Sequence, residues 1–557
     1  HFLKRSWASM GKDYRADGKG GIFRIGGTYM PSINRMWLKL WNGKPPRLIL
    51  LLFNIAAALI MAIPVLYVFI RAVFAPVEKW QVLLGTRIPI LLWNTVSLAG
   101  SVALVTTIIG VSLAWLVEQT NLPGSRIFKA VLTLPLAIPP YIGALTYIIV
   151  FGKRGVAYSL LGSSIVNIYS FFSVVFILSM FTFPYVFLIV SAALSKISGN
   201  YEEAGRSSGA GYITIFRHVI LPLVIPAILS GNMIVFFYIV SDFGAVSMLR
   251  YSTFTSSVYF QMIGKLDRSG AAILSMLTIA LGIMVLFAKS QLQKYSSFFQ
   301  NPKSDRKSRP LELGKYKNPC LIFVFIVLFF SVIMPLAALI IWSIKGIYAK
   351  AVTIEMLGYI RNSLLISMGA AFVTMLVSIP VTYFKFRHPS RLTNLLNGAC
   401  NLGLIIPGTL IALGMVFAIN RYFVWLIGGP AVLIIGHAMR YLPRSLQSAE
   451  SSMALISPVL DETAYSLGMR FGTVLRKVIL PTILPGVFSG GILVMVSSLK
   501  ELPITLMLRP PGYDTLAVRI WIQSSDGFYT HAAPAGLLIV IASFIPLFYL
   551  VRKDLEV

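Results

Sequence analysis

Apolar runs of about 20 residues or more recur along this chain, each long enough to cross a hydrocarbon core about 30 Å thick. A spanning β-barrel would instead show short segments alternating in polarity, and none is found. Twelve candidate spans are expected. Six fall in the first half, at 48–70, 95–117, 129–151, 170–194, 220–248 and 270–288. Six fall in the second, at 319–343, 363–384, 395–419, 424–447, 479–507 and 534–551. Of 557 residues, 57% are hydrophobic and 12% charged, a balance that a soluble domain does not keep. The fold class read from the sequence is an all-α polytopic membrane protein.

The net charge is +29. Nucleic acid is the first reading of so basic a chain, but the distribution argues against it. Lys and Arg gather in the tail from Lys4 to Arg47 and in the stretch from Lys289 to Lys317. Both flank spans, as cytoplasmic anchors beside lipid do. An even number of spans puts both termini on one side. The tail, the central stretch and the loop from Lys385 to Arg391 then all lie on the cytoplasmic face. The segment Ile33 to Trp41 has two readings, an amphipathic helix on the inner leaflet or an unstructured basic tail. Cys320 and Cys400 lie within apolar runs, so neither a disulfide nor a metal clip is expected. The first apolar run begins near Leu48, too late and too long for a secretory signal.

The polar stretch around Lys303 joins two blocks of six spans, and the blocks repeat. Ser198 and Ser457 are 259 residues apart, as are Glu203 and Glu462, Gly209 and Gly468, and Pro222 and Pro481. Asn94 pairs with Asn362, and Pro139 with Pro407, at a shift of 268. This divides the chain into a basic tail (1–47), a first half (48–290), a linker (291–317) and a second half (318–557). Duplicated halves imply a pseudo-two-fold axis along the membrane normal, with the transported species passing between them.

The most polar part of each half is itself repeated: YEEAGRSSGAGYITIFRHVILP from Tyr201, and DETAYSLGMRFGTVLRKVILP from Asp461. Ser198 and Ser457 suit a helix N-cap and Pro458 a first helical position. Glu202 and Glu203, or Asp461 and Glu462, favour the dipole of the first turns. Gly209 or Gly468 then breaks the helix. A second short helix, ending in Arg217 and His218 or in Arg476 and Lys477, leads through Leu-Pro into the next span. The expected product is a helix–turn–helix knob on the cytoplasmic face, presented twice.

The pattern E-x-A-x-x-x-G, nine residues, a β-branched residue, one more and Leu-Pro resembles the EAA loop of ABC-transporter importer permeases. The loops would be 198–222 and 457–481, carried by Glu203, Ala204, Gly209 and Pro222, and by Glu462, Ala464, Gly468 and Pro481. Gly205 and Thr463 depart from the family pattern; both are small. The resemblance implies a type I importer permease fold whose loops couple to two copies of a separate ATPase subunit. It also implies a periplasmic or lipid-anchored substrate-binding protein, and a place in the bacterial inner membrane. This chain shows no G-x-x-x-x-G-K-[ST] loop, so ATP and Mg belong to the partner and no cofactor is expected on this chain. With SDFGAVSMLRYSTFTSSVY in one half and KELPITLMLRPPGYDTLAVRIW in the other, the chain is similar to fused ferric-iron permeases. Fused permeases for thiamine, phosphonates or polyamines share the layout. A twelve-span secondary transporter leaves the repeated knob unexplained. The five histidines are scattered, which gives a membrane enzyme no support.

Asp242 and Glu501 are also 259 residues apart. Each lies twenty residues beyond its Leu-Pro, about 30 Å along a helix. Ionisable residues in a span face a cavity or a partner, so these two are the candidate pathway residues. The competing reading is a salt bridge to a nearby base or a helix end in water. Lys500 reads as a snorkelling side chain. Tyr238, Tyr251 and Tyr259 have two readings, donors of phenolate oxygens or, as is usual near an interface, belt residues. Arg250 and Arg509 read as residues of the outer loops, and Pro139 and Pro407 as mid-span kinks, shaping a gate or arising from ordinary packing.

Overall fold

Long apolar sequences form helices in lipid because a helix satisfies its own backbone polar groups. The computed structural model describes residues 24–25, 28–29, 41, 46–153, 155–163, 166–197, 207, 209, 211–296, 310–426 and 428–555. Among them, extended pairing is limited to Arg24–Ile25 against Thr28–Tyr29 and a bridge between Thr120 and Leu311. The first half contains α1 (Leu48–Val73), α2 (Ile88–Gln119), α3 (Pro140–Phe151), α4 (Phe171–Leu194), α5 (Leu221–Ser241) and α6 (Arg268–Ser296). The second contains α7 (Gly314–Tyr348), α8 (Glu355–Arg387), α9 (Gly408–Tyr422), α10 (Pro430–Met453), α11 (Leu480–Leu499) and α12 (Tyr529–Leu555).

By length and apolarity, nine of the described helical stretches can cross a membrane: α1, α2, α4 and α6–α8, α3 together with the following Val156–Leu161, and α5 and α11 with their preceding turns. Ten can if α9 is counted with Arg391–Leu404, from which it turns by 110°. The other two expected spans fall on α10 and α12. α10 carries His437, Arg440, Arg444 and Glu450, and α12 offers the shorter apolar stretch Tyr529–Phe544.

The third span of each half is broken rather than kinked. In the first, the 3-10 turn Leu134–Ala137 ends before Pro139, and α3 starts at Pro140. In the second, Leu402–Leu404 ends before Pro407, and α9 starts at Gly408. Both prolines are extended, with ψ of 139° and 148°. A proline cannot donate to the turn before it and disfavours helix in its predecessor.

The repeat holds in three dimensions. α4 and α10 are each 24 residues long and start 259 residues apart. The π-helical turns Phe216–Ile220 and Leu475–Ile479 lead into α5 and α11. Asn94 donates to the carbonyl of Ser252 at 3.1 Å, and its counterpart Asn362 to that of Asp514 at 3.0 Å. A Cβ added to Gly231 would stand 3.0 Å from Val186, and one on Gly490 3.0 Å from Ser445, so the same glycine crossing recurs.

Within each half three helices pack together, α2 with α4 and α5, and α8 with α10 and α11. The first helices cross over. α1 packs against α6 and against α9 of the other half, while α7 packs against α12 and against α3. At the α1–α9 crossing a Cβ on Gly414 would fall 2.4 Å from Pro64 Cα, so only glycine fits. Small residues permit such approach in lipid, where packing drives helix association.

Candidate translocation site and coupling loops

Helix Pro458–Ser466 follows Ser457, whose Oγ accepts the N–H of Val459 at 3.3 Å. Gly468 has φ +79°, and Phe471–Val474 continues through the π turn into α11 at Leu480 and Pro481. Ala464 is buried and Glu462 exposed. Asp461 is held by Arg387, Nε to Oδ2 and Nη2 to Oδ1, the latter at 3.2 Å. In the first half, Gly209 has φ +77° and Tyr212–Ile215 leads through its π turn to Pro222 in the first turn of α5. Glu203 and Ala204 lie outside the described residues, as do Ser198 and most of the segment Ile33 to Trp41.

Asp242 directly follows α5, and its Oδ1 accepts the N–H groups of Ala245 and Val246, each at 3.1 Å. It thereby caps the short helix Gly244–Met248. Glu501 heads Pro503–Leu508 in the same manner, Oε1 accepting the Ile504 N–H at 3.4 Å. Its Oε2 accepts the Tyr441 hydroxyl. A Cβ on Gly408 would stand 2.5 Å from Glu501 Oε1, so a glycine at the start of α9 lets the carboxylate fit. Glu501 is buried and its charge reaches Tyr141 of the first half; Asp242 is half-buried. Among the described residues neither carboxylate makes a salt bridge; both stand at helix ends.

α10 turns a polar face to these groups. His437, Arg440, Tyr441 and Arg444 are spaced i, i+3, i+4 and i+7, one side of a helix. His437 bonds Ser498 and, at 2.9 Å, Thr505. Arg444 donates to Ser497 and lies 5.1 Å from the Tyr441 ring centre. Its charge reaches Tyr185 and Tyr238 of the first half, and Tyr238 also lies within reach of Asp242 and Tyr441. Lys500 does not snorkel to an interface. Its Nζ donates to the carbonyl of Leu136 in the other half at 3.0 Å.

The expected belt tyrosines divide. Tyr238 joins this cluster, Tyr259 packs on Phe243 and Trp521 at 4.9 and 5.7 Å, and Tyr251 on Phe171 at 5.9 Å. Arg250 lies over the Tyr169 ring at 5.1 Å, and Arg509 pairs with Asp514. Sequence reading missed Tyr141, Tyr185, His437, Arg440, Tyr441 and Arg444. The signal for four of them is the polar spacing inside the run 424–447, which by its average hydropathy reads as a plain span. Cys320 and Cys400 are free thiols. Among the described residues no group of three or more His, Cys, Asp or Glu side chains is arranged to hold a metal ion.

Known proteins resemble the chain along most of its length. It is 29% identical over 512 residues to the Fe(3+)-transport system permease protein FbpB 2 of Haemophilus influenzae, covering 91% of this chain and 98% of that one. It is 22% identical over 527 residues to the ferric transport system permease protein FbpB of Actinobacillus pleuropneumoniae, covering 90% and 77%. It is 24% identical over 222 residues to the sulfate transport system permease protein CysT of Salmonella typhimurium, covering 39% of this chain and 80% of that one. Residues 106–294 and 375–552 each match the family described as binding-protein-dependent transport system inner membrane component. The two matched segments carry the repeated knobs, the broken third spans and the two carboxylates, and the chain belongs to that family as a fused pair of its domains, a multi-pass ABC-type permease.

Proposed function

We propose that this chain is the membrane subunit of an ATP-driven importer that carries ferric iron from a periplasmic or lipid-anchored binding protein into the cytoplasm. The observation that carries the cargo is the similarity to ferric permeases, which spans both halves. The two knobs are the coupling elements. Each offers a left-handed glycine turn followed by a four-residue helix at the same place in its half, suited to docking one ATPase subunit apiece. Glu203, Ala204, Gly209 and Pro222 serve one loop; Glu462, Ala464, Gly468 and Pro481 serve the other. Asp242 and Glu501 belong to the pathway between the halves, and both termini lie in the cytoplasm. ATP and Mg stay on the partner subunits, and this chain acts as a transport subunit rather than an enzyme.

A sulfate cargo has one observation in its favour, the similarity to CysT, but that similarity covers 39% of this chain. Radioactive iron uptake decides between the cargoes. Proteoliposomes holding this chain and its ATPase, supplied with the binding protein, should accumulate iron only with ATP inside the ATPase compartment. Sulfate accumulation without iron accumulation would replace the cargo.

A further inference from the structure

Three basic side chains stand on α10 and just after α11, and two of them serve the backbone. Arg440 donates to the carbonyls of Gly403, at 3.1 Å, and Ile406, beside the break before α9. Lys500 donates to the carbonyl of Leu136 beside the break before α3. A broken helix leaves its last carbonyls without intrahelical donors, and each cation satisfies one break. Arg444 has no such duty. It makes one hydrogen bond, to Ser497, and among the described residues it makes no ion pair. It is exposed, while Tyr441 and Ser445 on either side of it are buried. A guanidinium has five N–H donors, so most of this one is uncommitted. In a helix among membrane spans, an arginine faces a water-lined space or a partner.

Its position is defined by the repeat. Tyr185 and Arg444 hold matched places, 259 residues apart, on α4 and α10. So do Tyr238 and Ser497 on α5 and α11. Matched residues approach each other only near the axis relating the halves. The charge of Arg444 reaches Tyr185 and Tyr238, and those two rings are 5.8 Å apart. The axis therefore runs beside Arg444, where transported species would pass.

We propose that Arg444, with the hydroxyls of Tyr185 and Tyr238, forms an oxyanion-binding station on the transport axis. A planar fork matches carboxylate and phosphate oxygens, and the Tyr441 ring beneath it restricts its orientation. This deepens the ferric-import reading and rests on it for the cargo: the metal crosses with oxyanion ligands attached, not as a bare trivalent ion. A bare ion would meet three cations. The two carboxylates nearby already accept N–H and O–H donors. An iron complex bearing carboxylate or phosphate groups presents oxygens to the arginine and keeps the metal out of its field.

The test is calorimetric titration of the full chain in lipid nanodiscs with inorganic phosphate and with citrate. Wild type should bind at least one of them. Arg444→Gln should weaken that binding about tenfold or more, and Arg444→Lys less, because the charge stays and the fork is lost. Equal binding by wild type and Arg444→Gln, or no binding of either probe by wild type, overturns the station. If Arg444→Gln does not accumulate in the membrane, the Tyr185→Phe/Tyr238→Phe double variant carries the test: at least threefold weaker binding supports it and unchanged binding overturns it. Neither titration contains iron. A wrong cargo assignment therefore shows itself separately, as absent iron uptake by the wild-type complex.

Discussion

Arg387, the last residue of α8, grips Asp461 of helix Pro458–Ser466 through two nitrogens, with 8% and 5% of the two side chains exposed. The pair ties a core helix of the second half to its knob. In the 268-residue register, the matched place in the first half holds Gln119, which donates to the Leu194 carbonyl at 3.1 Å. Removing one partner of a buried ion pair costs about 3–5 kcal/mol, because the other charge is left uncompensated. Arg387→Gln should therefore lower the thermal midpoint and cut ATP-driven uptake more than it cuts co-purification of the ATPase, which still has the first knob. Uptake and midpoint both at wild-type values would remove the pair from the coupling path.

Gly468 and Gly209 have φ +79° and +77°, and a Cβ added to either would meet no atom within 4 Å. Only backbone conformation selects glycine there. Asparagine visits the left-handed region readily, whereas other residues lose roughly 1–2 kcal/mol and β-branched ones are stiffer still. Gly468→Asn should transport nearly as wild type. Gly209→Val with Gly468→Val should insert in the membrane but lose uptake and ATPase stimulation. Indistinguishable asparagine and valine variants, measured by uptake per inserted molecule, would show that the turn conformation does not matter.

Most of the helices and the two-fold repeat were legible in the sequence, because both are written in local patterns: apolar length and a constant shift between landmarks. What was not legible is non-local. Nothing in the runs at 48–70 or 319–343 says that α1 and α7 pack on the opposite half; that depends on contacts such as Gly414 with Pro64. Pro139 and Pro407 were visible but read as kinks, since a proline signals a disturbed helix without saying whether the chain resumes in the same direction. Lys500 read as a snorkelling residue because the carbonyl it serves, Leu136, lies 364 residues away. The polar face of α10 was hidden by a hydrophobic average that ignores helical spacing.

The orientation in the membrane is testable at two exposed positions. Glu78 lies on the short helix Val77–Thr86, directly after α1. Ser466 lies on the second knob, at the same end as the basic loop containing Lys385 and Arg391. The Lys/Arg asymmetry puts that end in the cytoplasm. With Cys320 and Cys400 replaced, Glu78→Cys should react with an impermeant thiol reagent added to intact cells. Ser466→Cys should react only after the membrane is opened. The reverse pattern would invert the topology.

Asp242 and Glu501 remain the pathway pair to test, and the structure says which substitutions are clean. Each carboxylate caps a short helix through one oxygen that an amide also possesses. Asn is as good a cap as Asp, so Asp242→Asn and Glu501→Gln keep the caps and remove the charges; at Glu501 the second oxygen becomes an NH2 group, which donates to the Tyr441 hydroxyl instead of accepting from it. Glu501→Ala is a worse probe: it removes the cap and leaves the buried Tyr441 hydroxyl without the hydrogen bond to residue 501, a loss of about 1–3 kcal/mol that would be confused with transport. At an effective dielectric near 20, a carboxylate 4 Å from a unit positive charge contributes about 4 kcal/mol before desolvation, and a polyvalent metal centre feels more. Each single amide variant should therefore lose iron uptake modestly, because the other carboxylate still attracts. The double variant should lose most of its uptake while binding the ATPase normally. Full iron uptake by the double variant, at normal ATPase stoichiometry, would reduce both residues to helix caps and leave the pathway's recognition to the residues around Arg444.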